Sequence, residues 1–313
     1  MKKFLLVLFI ALKAATAQDT IPFNFGIAPG LSLRNTIDAT VHFNVNLINS
    51  RIGTLQGADF AGLVSNIAGT ANGYQVAGIT ASAEELSGFQ VSGIFSHVRS
   101  DASGYQGSGI VNSIRGDLSG IQSAYIVNRV SGTTYGGQTG FINIANDVNG
   151  FQAGFINISR QLNGIPLGII NIAENGRVTA IAYASNFSTV NAGARFIANN
   201  FVSTITAGGH DYHNRLDTAA GISTSWGYHI PLYPLYLEID LASMNLTQLA
   251  GEIDRDNLRT RSLTALRLTA GFEITGFIGV FAGAGLGYDV ELQGGDFVSD
   301  SFQPLYYGGV TLF

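Results

Sequence analysis

An all-β chain is predicted, with a β-solenoid-like repeat region followed by a C-terminal antiparallel β-barrel. Three observations carry the prediction. A Gly-x-Gln unit recurs about every 15 residues, apolar side chains alternate with period two in the last third, and the composition is rich in glycine and poor in charge. Glycine supplies 40 of 313 residues and proline 6, while charged residues make up 12%, against a typical share of about 25%. With 46% apolar residues the chain can bury a core, which excludes a disordered polymer.

Residues 1–17 read as a secretory signal peptide. Lys2 and Lys3 form the basic end, Phe4 to Leu12 is an apolar run too short to span a bilayer as a helix, and Ala15-Thr16-Ala17 is a small-x-small cleavage site. All three lysines lie in this segment. The remainder holds thirteen arginines and twenty-one carboxylates, a net charge of about −8. Such a chain is a poor partner for nucleic acid, whose phosphates need clustered cations. Cysteine is absent, so disulfides and a thiol-linked lipid anchor are excluded.

Residues 18–52 predict an N-terminal strand pair. Val41, Phe43, Val45 and Leu47 alternate with His42, Asn44 and Asn46, the period of a strand with one apolar face. Phe23, Phe25 and Ile27 suggest its partner, before a turn at Arg34-Asn35.

Residues 53–177 form the repeat region. Its copies read Gly73-Tyr74-Gln75, Gly88-Phe89-Gln90, Gly104-Tyr105-Gln106, Gly120-Ile121-Gln122, Gly136-Gly137-Gln138 and Gly150-Phe151-Gln152, and Gly164-Ile165-Pro166 departs from the pattern. The leading glycines are 15, 16, 16, 16, 14 and 14 residues apart, and asparagines recur at 112, 128, 143, 157 and 171. Neighbours in an antiparallel sheet run in opposite directions, so like environments would recur every second strand, near 30 residues. Here every unit carries the same residues at the same places, as stacking by translation in a parallel coil requires. Stacked Gln and Asn amides would then satisfy one another. The alternative is one large transmembrane β-barrel that includes the repeats, a porin-like transport channel of about sixteen to eighteen strands. The drift in spacing favours it, because coil turns prefer equal length.

Residues 178–313 predict the barrel. Leu235, Leu237, Ile239 and Leu241 alternate with Tyr236, Glu238, Asp240 and Ala242, and Leu266, Leu268, Ala270 and Phe272 alternate with Arg267, Thr269, Gly271 and Glu273. Strands of about ten residues cross a bilayer when tilted. Charges on the other face would then point to a polar interior, and Trp226, Tyr228, Tyr233 and Tyr236 suggest an aromatic girdle. The segment Tyr306 to Phe313 resembles the closing strand of bacterial outer-membrane barrels, with Thr311 where an apolar residue is common.

The stretch Gly150-Phe151-Gln152-Ala153-Gly154-Phe155-Ile156-Asn157-Ile158 and its sister copies resemble the repeats of bacterial surface repeat-containing proteins, over about 120 residues. The resemblance implies a secreted or outer-membrane surface protein.

Few residues suggest chemistry. His210 and His213, with Asp211 between them, have ligand-like spacing for zinc, but Gly208-Gly209 before them and Asn214 after suggest an exposed loop. Glu85, Asp101, Asp117 and Asp147 each lie three residues before a repeat glycine and would stack in a coil, a candidate calcium column or a solvated turn edge. Gly283-Ala284-Gly285-Leu286-Gly287 lacks the helix that a dinucleotide fingerprint needs. Glu238 and Asp240 share one strand face, which a polar lumen explains. No Gly-x-Ser-x-Gly elbow occurs. The expectation is a non-enzymatic outer-membrane surface protein without a cofactor, whose barrel contacts outer-membrane lipid and whose repeats meet an envelope or surface partner.

Overall fold

The computed structural model describes residues 19–211, 218–248 and 258–313. Their regular structure is all strand, and the chain divides into two compact units, Met1–Gly150 and Phe151–Phe313. The expected signal peptide lies outside the described residues.

The first unit is a parallel β-coil in which each turn has two legs. The first legs are Asn49–Ile52, 64–67, 80–83, Phe95–Val98, Val111–Ile114, 127–130 and 142–145, and each pairs in parallel with the next. The second legs, from Thr54–Ala61 to 133–139, do the same, and they align like with like: Gly73↔Gly88↔Gly104↔Gly120↔Gly136 and Gln75↔Gln90↔Gln106↔Gln122↔Gln138. In-register stacking of identical positions is incompatible with the barrel alternative, in which neighbouring repeats would run antiparallel. The strands Thr20–Gly26 and Thr40–Asn46 are also parallel to each other, and the second is parallel to Thr54–Ala61. The N-terminal strand pair is therefore the start of the coil, and no boundary falls at residue 53.

The motif glycine has a steric cause. Gly73, Gly88, Gly104 and Gly120 have φ of 122°, 138°, 114° and 145°, a region L side chains rarely adopt. A Cβ on Gly104 would also lie 2.1 Å from the carbonyl oxygen of Gly88, one turn below.

Between the legs the interior has two parts. One is apolar: Ile52, Ile67, Ala83, Val98 and Ile114 meet Leu55, Ala71, Leu86, Ala102 and Leu118, all buried. Each fully buried aliphatic side chain contributes about 1.5–3 kcal/mol. The other part is a set of polar columns. Gln90 Nε2 donates to Gln75 Oε1 at 2.7 Å, Gln106 to Gln90 at 2.8 Å, Gln122 to Gln106 at 2.8 Å and Gln138 to Gln122 at 2.9 Å. The second proton of Gln122 reaches the carbonyl of Arg129 in the facing leg. Asn112 donates to Asn128 and Asn128 to Asn143, both at 3.0 Å. Buried amides are tolerated because each finds partners on the adjacent turns.

These columns explain a reversal at the N-terminal end. Phe43 and Leu47 point outward, whereas Asn44 and Asn46 are buried. From Phe43 onward the polar face of that strand is the inner one, whereas Val41, before a register shift, is itself buried. Asn24 donates to Asn44, which donates to Asp59. Asp59 stands where later turns have glutamine.

The second unit opens with two further turns, Phe151–Leu162 and Ile165–Ala173, paired in parallel with Asn157 donating to Asn171. Pro166 sits opposite Gln152. Eight antiparallel strands from Gly176 to Leu312 then close into a barrel, sealed by the pairing of Gly176–Ser185 with Asp296–Leu312. Closure leaves no unpaired edge.

Candidate functional site

Along part of the barrel the charged side chains are inside and the apolar ones outside, while the interior also holds an apolar cluster with Met244, Leu246, Leu263 and Leu305. On Leu235–Gln248, Leu235, Leu237, Ile239 and Leu241 point outward, and Tyr236, Glu238, Asp240 and Ala242 point inward. On Arg259–Thr275, Leu266, Leu268 and Phe272 are outside, and Arg267 and Thr269 are inside. Tyr236 thus belongs to the interior and not to the aromatic girdle expected from sequence, whereas Tyr228 and Tyr233 are exposed.

Inside, charges from different strands meet. Arg195, on Val190–Ala198, forms an ion pair with Glu238 and donates to the Tyr236 hydroxyl at 3.2 Å. His229 Nδ1 lies 2.8 Å from the same Glu238 oxygen. Arg267 Nε donates to Asp240 at 2.7 Å, and its guanidinium sits 4.9 Å from the Tyr307 ring centre. The Thr269 and Tyr307 hydroxyls share a hydrogen bond. Glycines clear space for these rings: a Cβ on Gly271 would strike Tyr236, and one on Gly283 would strike Tyr307. Gly283 to Gly287 lie within the barrel strand Ile278–Gln293, so they make room for side chains and do not cradle a phosphate.

The space left at this cluster is about 20 Å³, enough for about one water. Eight strands enclose an interior that side chains can fill, and the ion-paired side chains of this cluster reach into it. Glu238 and Asp240 each face a buried arginine, an arrangement that ties strands together.

The remaining sequence candidates are dispersed. His210 is the penultimate residue of the strand Phe201–Asp211, with Nδ1 3.2 Å from the Thr189 hydroxyl; His213 lies outside the described residues. Among the described residues no three metal-ligating side chains gather. The acidic column exists but is used by the backbone. Asp101 accepts from the Asp117 amide at 2.8 Å and Asp117 from the Thr133 amide at 2.7 Å, each capping the next turn. Glu85 accepts from Thr70 at 3.1 Å, and Thr133 interrupts the column before Asp147.

Three features escaped the sequence. The partners Arg195, His229 and Arg267 were not connected to Glu238 and Asp240. Asp59 is fully buried and receives hydrogen bonds from Asn44, Ser50 and Ser65; burial pushes its carboxyl above the usual range, and those hydrogen bonds pull it the other way. Its signal was the single acid in the glutamine column. Finally, a cleft of about 560 Å³ lies beside Asn163, Ile165, Asn200, Phe201, Trp226 and Tyr228 in the second unit, where Trp226 Nε1 donates to the Gly168 carbonyl at 3.1 Å.

No protein-family model, curated protein or solved structure matches the chain.

Proposed function

We propose that this chain is a non-enzymatic outer-membrane protein, whose barrel is its lipid anchor and whose β-coil is an interaction surface of the cell envelope. The observation that carries the reading is the barrel's outer wall, rich in exposed leucine, isoleucine and phenylalanine, while ion pairs lie inside beside an apolar cluster. In water that wall would expose an apolar patch far beyond what monomeric proteins carry. In lipid it is the stabilising face, and closure satisfies every backbone group. The secretory leader and the resemblance to surface repeat proteins support the same compartment. The ion-paired side chains that reach into the interior of only eight strands favour an anchor over a pore.

The test is reconstitution. The purified chain is expected to need detergent or lipid to stay monomeric, and to fold into liposomes without a stable ionic current. Leu268→Arg, which places a cation on the wall, is expected to weaken membrane folding by about 2–4 kcal/mol near the midplane, while Ser87→Arg on the coil leaves it unchanged. A well-folded monomer in detergent-free buffer would overturn the assignment.

A further inference from the structure

Two departures from the repeat coincide in space. The residue after the ladder glutamine is bulky in early turns, Phe60, Val76 and Val91, and then becomes Gly107 and Ser123, stacked in that order. The corner position is glycine at 62, 78, 93 and 109, and then becomes Tyr125, which is 84% exposed. One turn loses a side chain from the wall and the next gains a ring at the rim.

The result is a notch of about 280 Å³ lined by Val91, Tyr105, Ser108, Ser123 and Tyr125, with Gly107 in its floor. The Tyr105 ring lies over Gly107, since a Cβ there would come 2.8 Å from Tyr105 Cε1. Phe89 stacks on Tyr105 with ring centres 4.9 Å apart, and Tyr74 lies tilted against Phe89 at 5.9 Å, so an aromatic row leads to the notch. No charged side chain lines the notch.

We propose that the notch between Tyr105 and Tyr125 is a subsite for one neutral hexopyranose ring of a glycan. Aromatic rims offer a flat apolar face with a polar tip, and the partly exposed Ser123 can meet a sugar hydroxyl. An uncharged lining neither attracts nor neutralises an acidic sugar. The volume lies just under the roughly 300–1,000 Å³ of sites that enclose drug-sized ligands, which suits a single ring. This names a partner class for the coil's interaction surface and rests on that reading only for its cellular setting. It is read from binding by the purified chain, whereas the membrane reading fails on detergent-free solubility.

The experiment is calorimetric titration of the full chain, in a detergent without a sugar head group, with three neutral hexasaccharides: β-1,4-glucose, α-1,4-glucose and α-1,6-mannose. The variants Gly107→Val and Tyr125→Gly each restore the repeat's own residue, so the coil is retained, as amide exchange will verify. Binding of at least one hexasaccharide is expected, weakened at least tenfold by both variants and unchanged by Tyr135→Ala, which does not line the notch. No binding down to a Kd of about 1 mM, equal binding by wild type and both variants, or a preference for an acidic hexasaccharide or an apolar peptide at the same site would overturn the proposal.

Discussion

Gln90 donates its side-chain amide proton to the side-chain carbonyl of Gln75 at 2.7 Å, across one turn of the coil. The same bond recurs upward to Gln138, so each glutamine is both donor and acceptor. Gln106→Leu removes one from the middle. It leaves the Gln90 carbonyl without its donor and the Gln122 amide without its acceptor, at about 1–3 kcal/mol for each buried group left unsatisfied. Faster amide exchange is expected in the turns on either side of residue 106, with the barrel peptides unchanged.

Asp59 receives the Asn44 amide and the Ser50 and Ser65 hydroxyls, while Gln75 donates to the Ser65 oxygen. Donors approach from turns on both sides, and a carboxylate accepts from all of them. Its folded-state proton affinity is nevertheless raised by burial above the ordinary value of 3.8. The folded coil therefore holds this proton at pH values where the unfolded chain has released it, and stability falls as pH rises through that window. Asp59→Asn removes the titration. The stability of wild type minus that of the variant, followed by amide exchange of residues 54–77, is expected to be largest below about pH 4 and to decline above it. A difference independent of pH would contradict the raised affinity.

Gly104 tests the steric origin of the motif. Gly104→Ala adds a Cβ 2.1 Å from the Gly88 carbonyl oxygen, at φ of 114°. The adjacent turns must separate, and a loss of about 2 kcal/mol or more is expected. Ser103→Ala, exposed on the same leg, is expected to be neutral in the same denaturation series.

In the barrel, Arg267→Leu strands Asp240 without its cation. Removing one partner of a buried pair costs about 3–5 kcal/mol, whereas replacing both by apolar residues is often neutral. The heat-modifiability transition in detergent is expected to fall sharply for Arg267→Leu and to recover in the Arg267→Leu, Asp240→Leu double variant.

Much of this architecture was legible because translation leaves a mark on sequence. Gly73-Tyr74-Gln75 and its copies repeat without an alternate-unit difference, and only a parallel stack gives each copy the same surroundings. The face of the first strands was not legible. Period two at Val41 to Leu47 gave no sign of the shift that buries Val41 yet exposes Phe43, nor of which face is inner; the amide column draws Asn44 inside. Within the barrel, Glu238 and Asp240 were visible as one strand face. Their cations were not: Arg195 lies 43 residues from Glu238 on a strand that is not its neighbour, and Arg267 faces Asp240 only through the register of the antiparallel pairing between their two strands.

The two amide columns of the coil run in opposite senses: glutamine donors point toward the chain's start, and Asn112 and Asn128 toward its end. A helix accumulates a dipole because its peptide units all align. Here the two rows of side-chain dipoles oppose, so adding a turn adds little net moment. The length of such a coil is electrostatically unconstrained, and turns can be gained or lost as whole units.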